Sequence, residues 1–521
     1  VMAATRQVLP LIAACVVAAP VAAGSPDFEL THSSPHSYQM YGYAVDVDGS
    51  IAVVGVPYDG TLGERAGEVE VWELNEGSWT HLQSLSGEAV NTPEAYDYFG
   101  AEVKIDGDTI LVWHAEGGPE EHSPGIVETF RRNSTSGLWA SSGALEGWYD
   151  TTGAFDDIVD DFGRSIAVDG DSLAIGGDYY DWDYSSWTGQ VWTFSWNGAS
   201  WDQVERFAPD VPGHFDGFSD AIALEGDVMV VGAPNRNGNA SGDGVAFVFE
   251  HNGSNWEQEA MLYDPNGRWT DPFGHAVAIS NGVIAAANYD DDDNAYEGGS
   301  VRLFEKQGGT WTQIAVLYEC RAQGGSDMGV GLDMDGDTVV VGARGYNGTG
   351  TNDGAVMIFQ RQSDDSWPQI AHLSSEDIVG GANLGFNVAI EGNVIIAGAP
   401  EQEVDDGSGS TVDAGTVLVW CGPWADDRDG DGVEDWDQLA LGDSHDWDGN
   451  CIPDEADCIA DFTSASWSTP DGVVDSYDLL QLVAYWGGSG SGSTGMADLN
   501  EDDLVGMEDL LWVLATWGEC P

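Results

Sequence analysis

Positive charge is nearly missing from this sequence. Lys and Arg together number 15 against 90 Asp and Glu, a formal net charge of -75 at pH 7, and the only lysines are Lys104 and Lys306. Such a surface repels a phosphate backbone and an anionic bilayer, so neither nucleic acid nor an acidic membrane is expected as a partner. Long apolar runs are missing after the first two dozen residues, and nothing later is long enough for a membrane helix. Cysteine is scarce, at 6 in 521 residues, with no CxxC or His-rich spacing, so a cysteine-histidine metal cluster is not expected. No HExxH helix, GxSxG elbow or P-loop occurs, and the 10 histidines are scattered, as at His81, His275 and His372.

What the sequence has in abundance is one repeated phrase. Phe162-Gly163-Arg164-Ser165-Ile166-Ala167-Val168-Asp169-Gly170-Asp171-Ser172-Leu173-Ala174-Ile175 sets two apolar runs around an Asp-Gly pair. Asp-Gly tolerates the positive φ of a tight hairpin turn, so each copy predicts two antiparallel strands. The turn markers fall at Asp48-Gly49, Asp106-Gly107, Asp169-Gly170, Glu225-Gly226, Ser280-Asn281, Asp335-Gly336 and Glu391-Gly392, spaced 55 to 63 residues apart. A large apolar residue and Gly precede them, as in Tyr41-Gly42, Phe99-Gly100 and Leu384-Gly385, with one departure at Phe218-Ser219.

A third strand follows each copy, opening on Gly and ending on an aromatic, from Gly67 to Trp72 through to Gly415 to Trp420. A fourth begins at Trp79, Trp139, Trp201, Trp256, Trp311 and Trp367 but has no counterpart in the seventh copy. Units that cannot bury their faces alone must stack, which predicts an all-β, seven-bladed β-propeller of four-stranded blades. The strand-like Asp27-Phe28-Glu29-Leu30-Thr31-His32 lies where a fourth strand precedes each later copy, so it is expected to complete the seventh blade. The units resemble FG-GAP repeats, the blade type of integrin α chains, over roughly Phe28 to Trp420. That resemblance implies calcium in the inter-strand loops and a role in adhesion.

Residues 1–24 read as a secretory signal peptide, with Arg6, an apolar run and the small-residue site Val21-Ala22-Ala23-Gly24. Lipid attachment at Cys15 is the alternative, opposed by the apolar residues after it. The propeller is expected over 25–421, an acidic calcium-repeat linker over 422–457 and a small helical module over 458–521.

The acidic residues are patterned. Asp427, Asp429, Asp431, Val433 (through its carbonyl) and Asp435 have calcium-loop spacing, with Gly432 at the sharp turn and Gln438 where a bidentate Glu belongs. Asp446, Asp448, Asn450, Asp454 and Asp457 repeat the pattern with Cys451 in place of Gly. Together they resemble thrombospondin type 3 calcium repeats; a solvated acidic linker is the alternative. The phrase from Asp471 to Gly487 returns from Asp502 to Gly518, each an acidic loop followed by a helical apolar pattern such as Leu479, Leu480, Leu482 and Val483. This resembles the dockerin type I module, which implies Ca2+ on Asp498, Asn500, Asp502 and Asp509 in the second loop and on Asp471, Asp475 and Asp478 in the first. Asp503 and Gly506 depart from that pattern. The resemblance also implies a cohesin-like or cell-surface partner.

Within the propeller, Asp178, Asp181 and Asp183 of the third copy and Asp290, Asp291, Asp292, Asp293 and Asn294 of the fifth are acidic clusters that could hold calcium, with Asp290, Asp292 and Asn294 as the expected ligands and solvated acidic loops as the alternative. Neighbouring aromatics such as Tyr179 and Trp182 could stack on sugar rings. Cysteines fit an oxidising, extracellular setting; Cys458 is expected to pair with Cys520 and Cys421 with Cys451, leaving Cys320 free. The expected function is a secreted or cell-surface, calcium-binding platform for a protein or glycan ligand. The alternatives are a polysaccharide hydrolase using rim carboxylates and a salt-adapted surface-layer component.

Overall fold

The first two strands of every repeat pair so that the turn begins one residue later than the Asp-Gly marker suggests. In the computed structural model, Asp48 pairs with Ile51, Asp106 with Thr109 and Asp169 with Ser172, so the acid closes the strand and the next two residues make the turn. Gly49, Gly107, Gly170, Gly226, Gly336 and Gly392 sit there at φ of 56 to 58°, and Asn281 takes the place at 50°. Such a left-handed position strains any residue with a Cβ except Asn or Asp, which explains the marker. The structure describes residues 26–421 apart from short loop segments (the longest are 88–94, 116–124, 148–157, 182–185 and 406–410), together with 473–474 and 518–519.

Seven blades follow in chain order, each with strand order first to fourth across its sheet. Blade 1 holds β2 (Val45–Asp48), β3 (Ile51–Val56), β4 (Glu68–Asn75) and β5 (Ser78–Leu85). The first strands pack against one another around the ring, and that of blade 7 (Val388–Glu391) packs against β2, so the circle closes. Second strands such as Ile51–Val56 and Val394–Ala399 are buried along their whole length, because a neighbouring blade covers each face. Blade 7 is finished by β1 (Phe28–Leu30), whose register on the third strand is Phe28 to Val419, Glu29 to Leu418 and Leu30 to Val417. The amino-terminal segment is therefore the missing fourth strand, as its position in the sequence implies.

Two side-chain devices hold blade to blade. The large apolar residue of each phrase is buried between sheets: Tyr41, Phe99, Phe162, Phe218, Phe273, Met328 and Leu384 are each at most 1 % exposed. Its backbone meets the Gly that opens the preceding blade's third strand, in bridges that pair Gly67 with Phe99, Gly244 with Phe273, and Tyr41 with Gly415 across the closure. A Cβ on Gly67 would lie 2.2 Å from the Phe99 carbonyl oxygen, so that glycine is fixed by close approach of the next blade. The second device is the side chain that closes the first strand, an acid in six blades and Ser280 in blade 5. Asp106 accepts from the Gly170 N–H at 2.5 Å, Asp169 from Gly226 at 2.6 Å, Ser280 from Gly336 at 2.9 Å and Asp335 from Gly392 at 2.8 Å. Glu225 takes both Asn281 and Gly282, at 2.7 and 2.9 Å, and Asp48 takes Gly107.

The structure departs from the sequence reading in three further places. Blade 3 has a fifth strand, Ile158–Asp160, and its central hairpin extends to Asp181 and Ser186, so Asp178 and Asp181 lie on a strand rather than in a loop. The Tyr-Tyr and Ser-Trp-Thr stretches there favour extended backbone. The fourth strand of blade 6 starts at Gln369 instead of Trp367, since Pro368 between them has no N–H for the ladder. The Phe218-Ser219 departure keeps the glycine geometry: Ser219 adopts φ 76°, and its hydroxyl accepts from the Gly177 N–H at 3.1 Å. Cys320 is not a free thiol; among the described residues no cysteine is free, and both Cys320 and Cys421 have partners.

From Ala425 the chain belongs to a second compact unit. Its described part is one short ladder, Val473–Val474 antiparallel to Gly518–Glu519. The expected calcium ligands of 427–457 and 471–509, the helices between them, Cys451, Cys458, Cys520 and the signal segment lie outside the described residues. No described helix is long and apolar enough to cross a membrane.

Candidate binding face

Because strands alternate direction within a blade, the Asp-Gly turns share one face of the ring, and the loops between second and third strands share the other with the blade-to-blade connections. On that second face, the residue following each Phe-Gly-type pair comes to the mouth of the central channel: Tyr43, Ala101, Arg164, Asp220, His275, Val330 and Phe386, one per blade. Arg164 pairs with Asp220 at 3.4 Å, and Tyr43 packs on Phe386 with ring centroids 4.9 Å apart. His275 lies against Tyr289 at 4.7 Å; burial pulls its ring down to about 4, helped by Arg344 and Arg164, so it is neutral at pH 7. Burial pushes the Asp220 carboxyl up to about 6, against the pull of Arg164.

From the mouth, an aromatic ribbon runs outward over blades 1 and 2. Tyr43 meets Tyr58 at 6.5 Å, Tyr58 meets Tyr98 at 5.4 Å and Tyr98 meets Tyr96 at 6.4 Å. The Arg65 guanidinium lies over Tyr58 at 5.2 Å and over Tyr96 at 5.9 Å. Beside the ribbon opens a cleft of about 330 Å³ whose walls include Tyr38, Gln39, Tyr58, Asp59, Glu64 and Arg65. Tyr38 is 69 % exposed, and the buried Gln39 donates to Asp59 at 2.6 Å.

The backbone marks this region as more than packing. Six of the seven blades place a left-handed residue immediately before the large apolar residue, blade 5 having Pro272 there, and Asp161, Gly217, Asp327 and Asn383 supply it in later blades. Blades 1 and 2 place Met40 and Tyr98 there, at 56° and 52°. Three residues before the apolar residue, blades 6 and 7 have Gly325 and Gly381 where blades 1 and 2 have Tyr38 and Tyr96, at 66° and 70°, and blade 4 has Phe215, at 56°. Arg65, at 56°, stands where Gly242, Glu297 and Asn352 stand. Bulky side chains in such conformations carry strain of order 1–3 kcal/mol each, and strain of this kind gathers at ligand sites.

The loop of blade 5 that carries Asp290, Asp292 and Asn294 is built around an arginine. Arg302, 2 % exposed, pairs with Asp264, with Asp291 at 3.5 Å and with Asp293 at 3.6 Å. The acids turned to that centre are thus Asp291 and Asp293, the alternate set. Asp292 accepts from the Glu297 N–H at 2.8 Å and pairs with Arg268, while the Asn294 amide donates to the Glu319 carbonyl at 3.1 Å. Elsewhere a buried Asp serves as a strut: Asp243 accepts from Gly238, Asn239 and Ala240 at 2.6 to 2.7 Å. The channel-mouth set could have been read in the sequence as the residue following Gly in each phrase, whereas the ribbon depends on which blades adjoin.

Compared with known proteins, the chain matches the FG-GAP repeat family over residues 201–249 and 256–304. Each match starts on a blade's fourth strand and ends on the third strand of the next, so the sequence repeat is offset from the structural blade. Among curated proteins no match is found. Similar solved structures include a candidate 6-phosphogluconolactonase from Bacteroides uniformis, at 10% identity and TM-score 0.42, covering 64% of this chain and 85% of that one. Sqt1 from Saccharomyces cerevisiae is also similar, at 10% identity and TM-score 0.42, covering 77% of this chain and 100% of the other.

Proposed function

We propose that this FG-GAP-repeat propeller is an exported binding platform that takes an extended glycan along the ribbon Phe386–Tyr43–Tyr58–Tyr98–Tyr96. The observation that carries this reading is the grouping of four bulky left-handed residues, Tyr38, Arg65, Tyr96 and Tyr98, on adjoining blades 1 and 2, where blades 4 and 5 have one each at these positions, Phe215 and Glu297, and blades 6 and 7 have only Gly, Asn or Asp among those described. Serial aromatic faces suit sugar rings, and Arg65, Asp59 and Glu64 supply polar contacts at the edge. A chain of net charge -75 favours a neutral or cationic glycan over an acidic one. Binding is favoured over hydrolysis because, within the seven mouth positions, the one carboxylate is Asp220, already paired with Arg164. In this reading the linker and the dockerin-like module bind Ca2+ through the ligands named above, and the module tethers the platform to a cohesin-like or cell-surface partner outside the cell.

The test is a glycan array with the full chain, followed by titration of the strongest hit. Tyr58→Ala and Arg65→Ala should each weaken binding by roughly tenfold or more, as truncating a central aromatic or arginine anchor does. Glycan turnover would instead select the hydrolase, and binding to extracellular protein with no glycan retained would move the ligand class.

A further inference from the structure

The acidic loops draw attention to calcium, yet the buried donor set best shaped for a cation contains imidazole. His32 lies just after β1, on the connection that leaves blade 7 for blade 1, and is 6 % exposed. Its Nε2 is 3.5 Å from Glu70 Oε1 and 3.8 Å from Glu68 Oε1, both on β4 of blade 1. His32 Nε2 and Glu70 Oε1 are buried without any hydrogen-bond partner. A second imidazole, His81 on β5, lies at the edge of this set, its Nε2 3.8 Å from the same Glu70 oxygen and 3.3 Å from the Ser84 hydroxyl.

The surroundings hold these groups ready. His32 Nδ1 lies 2.9 Å from the Ser34 carbonyl, and in the tautomer that donates to it the Nε2 lone pair is left for another partner. Gln39 Nε2, 3.4 Å from the same Nδ1, and the Ser34 N–H, at 3.2 Å, complete its neighbours. The second Glu70 oxygen accepts from Tyr41 at 3.0 Å, and Tyr41 in turn accepts from Trp72 Nε1 at 2.8 Å. Ligand atoms at about 2.0–2.1 Å around a tetrahedral ion stand roughly 3.3–3.4 Å apart, so these spacings need only a small contraction. The other compact acidic set, Asp264, Asp291 and Asp293, already has the Arg302 guanidinium at its centre. No Lys or Arg forms an ion pair with Glu68 or Glu70 among the described residues.

We infer that His32, Glu68 and Glu70 form a binding site for a divalent transition metal of the zinc type. Mixed imidazole and carboxylate donors suit Zn2+ or Co2+, whereas calcium takes oxygen alone. The ion would tie the connection that follows the closing strand to the third strand of blade 1, and so pin the seam of the ring.

Co2+ is the probe, because four-coordinate cobalt with nitrogen and oxygen donors absorbs visibly and calcium loops do not report in that way. Metal-stripped full-length protein should bind one Co2+ with a visible band, displaced by Zn2+, and its melting temperature should rise with either ion. His32→Gln should abolish the band, and Glu68→Gln, at a more exposed position, should weaken Co2+ binding by roughly 10- to 100-fold while leaving the fold intact. His36→Gln should change neither. A band that survives in His32→Gln, or no cobalt binding by folded wild-type protein, would leave His32 as a protonated partner of Glu70 and overturn the assignment.

Discussion

Lys104 shows how a single cation is used where cations are rare. It lies on the innermost strand of blade 2, facing the channel with Asp46, Glu102 and Asp333 around it, and their charges hold its ammonium well above its usual range despite burial. Burial pushes Glu102 up to about 7 and Asp333 up to about 6, and Lys104 opposes both. Two of these acids also link blades: Asp46 accepts from the Ile105 N–H at 2.7 Å and Asp333 from Ile390 at 2.8 Å. Carboxyls raised on folding hold their protons in the folded state after the unfolded chain has lost them, so stability falls as pH rises from about 4.3 through about 7. Lys104→Met raises those carboxyls further and removes their counter-charge. The variant should be close to wild type at pH 4.5 and less stable by roughly 1–3 kcal/mol at pH 8, read by thermal melts across that range.

At the scale of the element, the turn does more than reverse the chain. Glu225 holds two backbone N–H groups of the next blade's turn, so Glu225→Ala should lower stability by about 1 kcal/mol, while Glu225→Gln should recover part of it, in urea melts. This is also where the limits of the sequence reading lie. The strand pairs, the Gly at each third strand and the completing role of Phe28–Leu30 were legible because period, turn chemistry and repeat spacing agree. The one-residue shift of the turn was not, since Asp-Gly fits either placement and only the next blade's N–H groups decide. Nor was the extended hairpin of blade 3, where the acids of the apparent loop Asp178 to Asp183 masked two strand-forming stretches. The ribbon and the His32 set stayed hidden for a related reason: their members come from segments that ring closure alone makes neighbours.

For the whole molecule, closure rests on a strand of three residues. Leu30, 2 % exposed, joins Tyr41, Val54, Ile396 and Val417 in one cluster that spans blades 7 and 1. Thr416 donates to the Leu30 carbonyl at 3.0 Å, and Asp27 accepts from the Cys421 N–H at 2.6 Å. Deleting residues 26–31 should lower the melting temperature and produce concentration-dependent self-association, because the third strand of blade 7 becomes an open edge. Size-exclusion chromatography checks this, and a synthetic peptide of residues 26–34 should return the variant to monomer. The same joint has a consequence for biogenesis. A polypeptide made amino end first must hold Phe28–Leu30 in waiting until Thr416–Cys421 has been synthesised, so six blades can mature during translation while the seventh depends on a partner made long before it. Whatever guards that short apolar segment in the interval, whether chaperone or transient pairing, governs the yield of finished rings.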